Sequence, residues 1–171
     1  MLRIRLSILL FSFFVFSCGY HLVGTSSSLP KNVKKIYVPT FKNNTSQPEV
    51  EERLTDAVSK EISQRGMFQL VKSKDEADGI LLGEISQFDL VPVNLDKEGR
   101  ALEYQIIVSL KVSLKSSDEK ETYWQNDSFR FYERYPIDIS SSDYFDKLYE
   151  VVDEMSSKFA ESLVTTLIEG F

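Results

Sequence analysis

Cys18 is the residue of this chain best placed for a covalent reaction. It is the only thiol among 171 residues. It follows Arg3 and Arg5, an apolar run from Leu6 to Phe16, and the small Ser17. A positive start, a short apolar middle and a small residue before the cut mark residues 1–17 as a secretory signal peptide. The run is too short for a membrane-spanning helix, which takes about 20 apolar residues. A cysteine directly after Ser17 adds a second meaning, that of a bacterial lipoprotein signal. The thiol receives a diacylglyceryl group, the chain is cut before it, and Cys18 becomes a lipid-bearing first residue. At about 0.8 kcal/mol per buried CH₂, two or three acyl chains anchor lastingly where one does not. An ordinary export signal with an incidental cysteine is the other reading. Gly19 rather than Asp in the second mature position favours an outer-membrane, lipid-anchored protein on the periplasmic side.

No second set of residues is spaced for catalysis. His21, the one histidine, lies three residues from the anchor, away from any cleft. With a single thiol no intramolecular disulfide can be built, and acylation of that thiol excludes a His/Cys metal site. Asp75, Glu76 and Asp78 lack the turn glycine and bidentate glutamate of a calcium loop, and read as a solvated charged turn. There is no phosphate-cradling glycine loop and no Gly-x-Ser-x-Gly nucleophile elbow. The expectation is a non-enzymatic protein without metal or cofactor, apart from the covalent lipid on Cys18.

What remains is surface chemistry. Residues 18–171 carry 18 basic and 26 acidic side chains, a net charge of −8. That argues against nucleic acid as a partner, which needs a surplus of Lys and Arg. An anionic ligand would have to be held by a local cluster, and Lys97, Arg100, Lys111 and Lys115 offer one along a hairpin. Lysines on a solvent face also serve as ordinary protection against sheet aggregation. Tyr104, Tyr123, Trp124, Phe131, Tyr132 and Tyr135 crowd the last two strands, with Arg130 and Arg134 between them. Alternation places about half of them in the core. The rest, with Tyr123, Trp124, Arg130 and Tyr132 as candidates, suit a protein interface, where Tyr, Trp and Arg are enriched.

The elements that must position these residues are legible from periodicity. Residues 18–31 read as a tether, with Thr25-Ser26-Ser27-Ser28 before Pro30, and 32–171 as one domain. A first strand is expected over 33–41, with Pro39 at its end because proline cannot donate to a ladder. Val50, Leu54, Ala57, Val58 and Ile62 form a helical stripe opened near Pro48 and Glu49 and closed by Gly66. Strands follow at 67–71 and 80–93. Then Ile106, Val108, Leu110, Val112 and Leu114 alternate with polar neighbours, as in a strand buried on one face. A last strand spans 123–135. From Asp143, with Asp146 as a box-like cap, Leu148, Val151, Val152, Met155, Phe159, Leu163 and Leu167 repeat at helical spacing up to Gly170. The fold expected is α+β, a two-layer sandwich of two helices on one face of a mostly antiparallel sheet of four to five strands.

With those segments placed, the chain resembles the LptE family, lipoprotein partners of the outer-membrane lipopolysaccharide translocon. The resemblance lies in Cys18-Gly19-Tyr20-His21-Leu22, Leu29-Pro30, and Ile36-Tyr37-Val38-Pro39-Thr40-Phe41 running into Asn43-Asn44-Thr45. It continues through Glu51-Glu52-Arg53-Leu54-Thr55, Ala77 to Ile85, Ala101-Leu102-Glu103-Tyr104 and Trp124. It implies the same two-helix, one-sheet fold. It further implies a plug and assembly aid inside an LptD-type β-barrel, and binding of lipopolysaccharide through basic residues on a sheet hairpin, here Lys97, Arg100, Lys111 and Lys115. A pilotin or periplasmic accessory lipoprotein of a secretion or envelope machine is the alternative. A lipid-anchored hydrolase lacks the residues it would need.

Overall fold

The computed structural model describes Pro30, residues 32–136 and residues 144–169. The expected signal peptide, Cys18, His21, nearly all of the expected tether, the Asp143/Asp146 cap expected for the last helix, and Gly170 lie outside those residues or side chains. The elements run β1 (Lys35–Tyr37), β2 (Lys42–Asn43), α1 (Val50–Arg65), β3 (Gln69–Val71), β4 (Gly79–Leu95), β5 (Ala101–Ser116), β6 (Thr122–Pro136) and α2 (Tyr144–Glu169).

One six-stranded sheet runs in the order β3-β1-β4-β5-β6, with β2 also on β4. Its halves differ. β4, β5 and β6 form a long antiparallel meander, whereas β1 pairs parallel with both β3 and β4. β2 is parallel to β4 as well. The sheet thus has one strand more than the upper bound expected: within 33–41 only β1 forms, ending before Pro39, and beyond it Lys42–Asn43 adds β2 to β4. Lacking an N–H, proline leaves the ladder unpaired at that point. The parallel pairing follows from α1, which carries the chain back so that β3 starts at the same end as β1.

The inner sheet face is apolar by strict alternation. Ile106, Val108, Leu110, Val112 and Leu114 of β5 are buried. Their partners across the ladders include Leu81 and Ile85 on β4 and Phe129 and Phe131 on β6. Above them lie the stripes Val50, Leu54, Val58 and Ile62 of α1 and Leu148, Val152, Met155, Phe159, Leu163 and Leu167 of α2, all in one core. Phe159 meets both Phe129 and Phe131 edge-on, with centroids 5.9 and 5.4 Å away. The helices also pack on each other. Gly66 ends α1 in the left-handed region at φ 65°, as its position implied. At the other end Glu49 is also left-handed, φ 64°, and makes no side-chain cap.

Small contacts tie the short strands to this frame. The Phe41 N–H donates to Thr55 Oγ1 at 2.9 Å, and that hydroxyl donates to the Glu51 carbonyl at 2.6 Å. Asp78 accepts the Lys34 and Lys35 amides at 2.9 and 2.8 Å, closing β1 onto the start of β4. At the β5–β6 turn the Ser116 hydroxyl donates to Asp118 at 2.6 Å and the Lys120 amide donates at 3.2 Å.

A Cβ on Gly83 would stand 2.5 Å from the Phe41 ring. Gly83→Ala is therefore expected to cost about 1–3 kcal/mol through overpacking, read as a lower urea midpoint at unchanged m-value. Phe41→Leu in that background should recover part of the loss. The Asp118 carboxyl is held down to about 2, chiefly by the Ser116 hydroxyl and then the Lys120 amide. Its folded pKa lies below the unfolded value of about 3.9, so its stabilisation is present above that value and fades as pH falls towards about 2. The gap in thermal midpoint between the wild type and Asp118→Ala should be open at pH 7 and narrow through that window. A gap of constant width would contradict the assignment.

Candidate ligand and partner surfaces

Since both helices lie on one side, the other sheet face is bare, and its side chains follow from the register. β4 contributes Ile80, Leu82, Glu84, Gln87, Asp89 and Val91. Their β5 neighbours are Lys115, Ser113, Lys111, Ser109, Ile107 and Gln105. β6 adds Gln125, Arg130, Tyr132 and Arg134. Two features stand out on this face.

The first is a concavity of about 400 Å³ whose lining includes Lys42, Leu82, Glu84, Lys111, Lys115 and Asp127. Lys42 pairs loosely with Glu84 at 3.8 Å, while among the described residues Lys111 and Lys115 make no ion pair. The second is the strip Arg130-Tyr132-Arg134. Tyr132 is 54% exposed, and the Arg130 guanidinium lies 5.9 Å from its ring centroid. Neither arginine makes an ion pair among the described residues. Lys42, Lys111, Lys115, Arg130 and Arg134 stand against Glu84, Asp89 and Asp127, so this face is net positive. By contrast, α1 and α2 carry ten acidic and five basic residues. The acidic surplus of the chain therefore lies mainly on the helical layer, and the cations collect on bare sheet.

The four basic residues singled out from the sequence do not form one cluster. Lys111 and Lys115 share the outer face and the concavity. Lys97 and Arg100 sit at the tip of the β4–β5 hairpin, and the eleven residues from Arg100 to Lys111 span roughly 35–40 Å at 3.4 Å per residue. Arg100 is also committed to the turn. Asp96 accepts its backbone amide at 2.8 Å and its Nε at 2.7 Å, and Glu98 stands 3.5 Å from it. Those amide and guanidinium donors hold the Asp96 carboxyl below the ordinary range. Lys97 is exposed at the tip. Leading up to it, β4 is exposed from Val91 to Leu95, with Val91, Val93, Leu95 and Leu102 as exposed apolar groups. This apolar arm had no sequence signal, because its alternation resembles that of the buried part of the strand.

The aromatic residues divide between the faces. Tyr135 is buried and stacks on Tyr104 at 6.1 Å. Trp124 is half-buried against Phe129, 6.1 Å between centroids. Tyr123 is half-buried too, and desolvation, with Glu121 and Asp118 nearby, pushes its phenol up. Of the four candidates for an interface, Tyr123 and Trp124 thus turn much of their area to the core, and Arg130 and Tyr132 face outward. Lys158 of α2 reaches over the inner face to Glu133 at 2.9 Å, which raises its pKa first, with Glu154 second. Asp75 and Glu76 belong to a short 3₁₀ turn, Lys74–Glu76. Among the described residues no group of acidic and histidine side chains is arranged to hold a metal. Nor is any helix among them long and apolar enough to cross a membrane.

The model of the LptE lipopolysaccharide-assembly family matches residues 33–167, nearly the whole described domain. The chain belongs to the LptE family. Solved structures agree on the fold. A rare lipoprotein B from Shewanella oneidensis is similar with a TM-score of 0.54 at 15% identity, covering 78% of this chain and 93% of that one. A protein from Xanthomonas campestris reaches 0.57 at 15% identity, over 83% and 88%. A lipoprotein B from Nitrosomonas europaea reaches 0.50 at 14%, over 85% and 90%. No curated protein matches the sequence. Membership makes this LptE chain a non-enzymatic, envelope-associated component of lipopolysaccharide assembly.

Truncating Trp124 to Ala should cost about 2 kcal/mol or more, since a half-buried aromatic group is removed from the core edge. Tyr132→Ser on the bare face should stay within about 0.5 kcal/mol. Chemical denaturation of the two variants reads the difference. Equal losses would contradict this division of the aromatic residues.

Proposed function

We propose that this LptE chain is an outer-membrane lipoprotein, anchored through acylated Cys18, that plugs and helps assemble an LptD-type barrel and binds lipopolysaccharide on its bare sheet face. The observation that carries the ligand reading is the segregation of charge. Residues 18–171, of net charge −8, would repel phosphorylated glycolipid if their charges were evenly mixed. Here Lys42, Lys111 and Lys115 converge on one concavity beside Leu82 and Pro39, and Arg130 and Arg134 flank Tyr132 on the same face. Lysine ammonium groups suit phosphate oxygens, and the aliphatic floor suits the apolar part of an amphiphile. The hairpin tip, with Lys97 and Arg100 beyond an apolar arm, is a second and separate contact.

The plug reading is supported by shape and surface. A sandwich with a polar surface around one closed core fits the polar interior of a large barrel. Palmitoylation or a related acyl group on Cys18 would hold it at the inner leaflet, where the barrel's periplasmic mouth opens. Co-purification from detergent-extracted outer membranes should recover a barrel protein with this chain. Recovery of the chain alone, with normal barrel assembly in its absence, would contradict the reading.

Charge reversal separates the two cation groups. Lys111→Glu with Lys115→Glu should weaken lipopolysaccharide capture by about tenfold or more, the equivalent of about 1.4 kcal/mol. The fold should be unaffected, because the side chains lie on an open face. Lys97→Glu with Arg100→Glu should have a smaller effect, since Arg100 already serves Asp96. Capture that falls only for the tip pair would move the ligand to the hairpin end.

A further inference from the structure

The outward side of the helical layer holds a feature that the lipopolysaccharide reading does not use. α1 and α2 leave between them a groove of about 410 Å³, continued by a smaller one of about 140 Å³ that shares Ala57, Lys60 and Ser157. Small side chains (Ala57, Ser156, Ser157 and Ala160) keep it open. Its rim carries Glu49, Glu52, Asp56 and Asp153 against Arg53 and Lys60, a net negative edge.

Two polar atoms of its lining are buried without a partner among the described residues: Arg53 Nε and Ser156 Oγ. Ser156 is only 1% exposed. Both terminal nitrogens of Arg53 are held: Nη1 meets Asp153 at 2.6 Å and Nη2 meets Glu49 at 3.2 Å, and the guanidinium lies 4.5 Å from the Tyr149 ring centroid. The guanidinium is therefore fixed, with its buried Nε–H left without an acceptor among the described residues. A buried donor without an acceptor costs about 1–3 kcal/mol, so such a pair marks a place where a hydrogen-bonding group belongs.

The two requirements together narrow the ligand. The lining asks for an acceptor such as a carbonyl oxygen, taking hydrogen bonds from Arg53 Nε–H and the Ser156 hydroxyl. The rim asks for positive charge near Glu52 and Asp56. A metal ion meets only the second, and an anion is opposed by the rim. A polypeptide segment bearing Lys or Arg meets both, through its backbone carbonyls and its side chains. We infer that the α1–α2 groove is a docking site for a basic peptide segment of a protein partner, on the side of the domain opposite the cationic sheet face.

The test is a titration of the full chain in detergent with the peptide acetyl-Gly-Lys-Gly-Lys-Gly-amide, and with its Glu counterpart, followed by backbone amide shifts. The lysine peptide should move amides of residues 49–61 and 153–160, bind more weakly as salt rises, and leave β5 and β6 unmoved. Asp56→Lys, at an exposed position, should weaken binding by about tenfold. Ser156→Leu, which fills the lining, should abolish it; should that variant not fold, Asp56→Lys and Glu52→Lys carry the test. No binding at millimolar peptide, equal binding of the Glu peptide, binding unaltered by Asp56→Lys, or shifts produced only by calcium or by self-association would overturn the inference.

Discussion

The structure depends on one asymmetry: a six-stranded sheet with a single apolar face. The alternation in β5 commits five consecutive inward side chains to burial, and β4 and β6 supply matching partners on both sides. Such a face exposes far too much apolar area to stand alone, so the two amphipathic helices must both lie upon it. Among the described residues no further element covers the other face. Its chemistry is consequently that of a surface, and the function of the protein is written there and along the outward side of the helices.

On the proposed reading, this constraint also lets an acidic protein accommodate an anionic ligand. Net charge is one number for the whole chain, whereas binding responds to the local field. The carboxylates crowd the solvent sides of α1 and α2, where several serve helix-stabilising pairs such as Arg65–Glu61 and Lys158–Glu154. Lys111, Lys115, Arg130 and Arg134, which make no ion pair among the described residues, lie across the sheet on β5 and β6. A layer of core separates the two populations, so the sheet face keeps a positive character that the overall charge conceals. The helical layer presents the opposite sign to whatever meets it, and the proposed place between a phosphorylated glycolipid and a barrel wall would use both.

Much of this was legible in the residues. The period-2 run from Ile106 to Leu114, the stripe from Leu148 to Leu167 and the αL cap at Gly66 each have one dominant local cause, and each stands where its pattern placed it. What was not legible depends on long-range geometry. Nothing local says that β1 pairs in parallel with β3 and β4, or that Pro39 separates two ladders rather than ending one. The spacing of Lys97, Arg100, Lys111 and Lys115 suggested one patch because sequence distance understates the length of an extended hairpin. Trp124 and Tyr132 belong to the same strand, yet a bulge and the pleat send one to the core edge and the other to solvent. The α1–α2 groove had no signal at all, because the small Ala and Ser residues that open it are read by periodicity simply as small, and its charged rim as an ordinary solvent face.

The claim that matters most is that ligand meets the bare sheet and not the helices. A photo-crosslinking side chain placed at Ser113, on the outer face of β5, and another at Glu161, on the exposed side of α2, ask the question directly in cells making lipopolysaccharide. The account predicts a lipopolysaccharide adduct at 113 and none at 161. An adduct at 161 with none at 113 would contradict it.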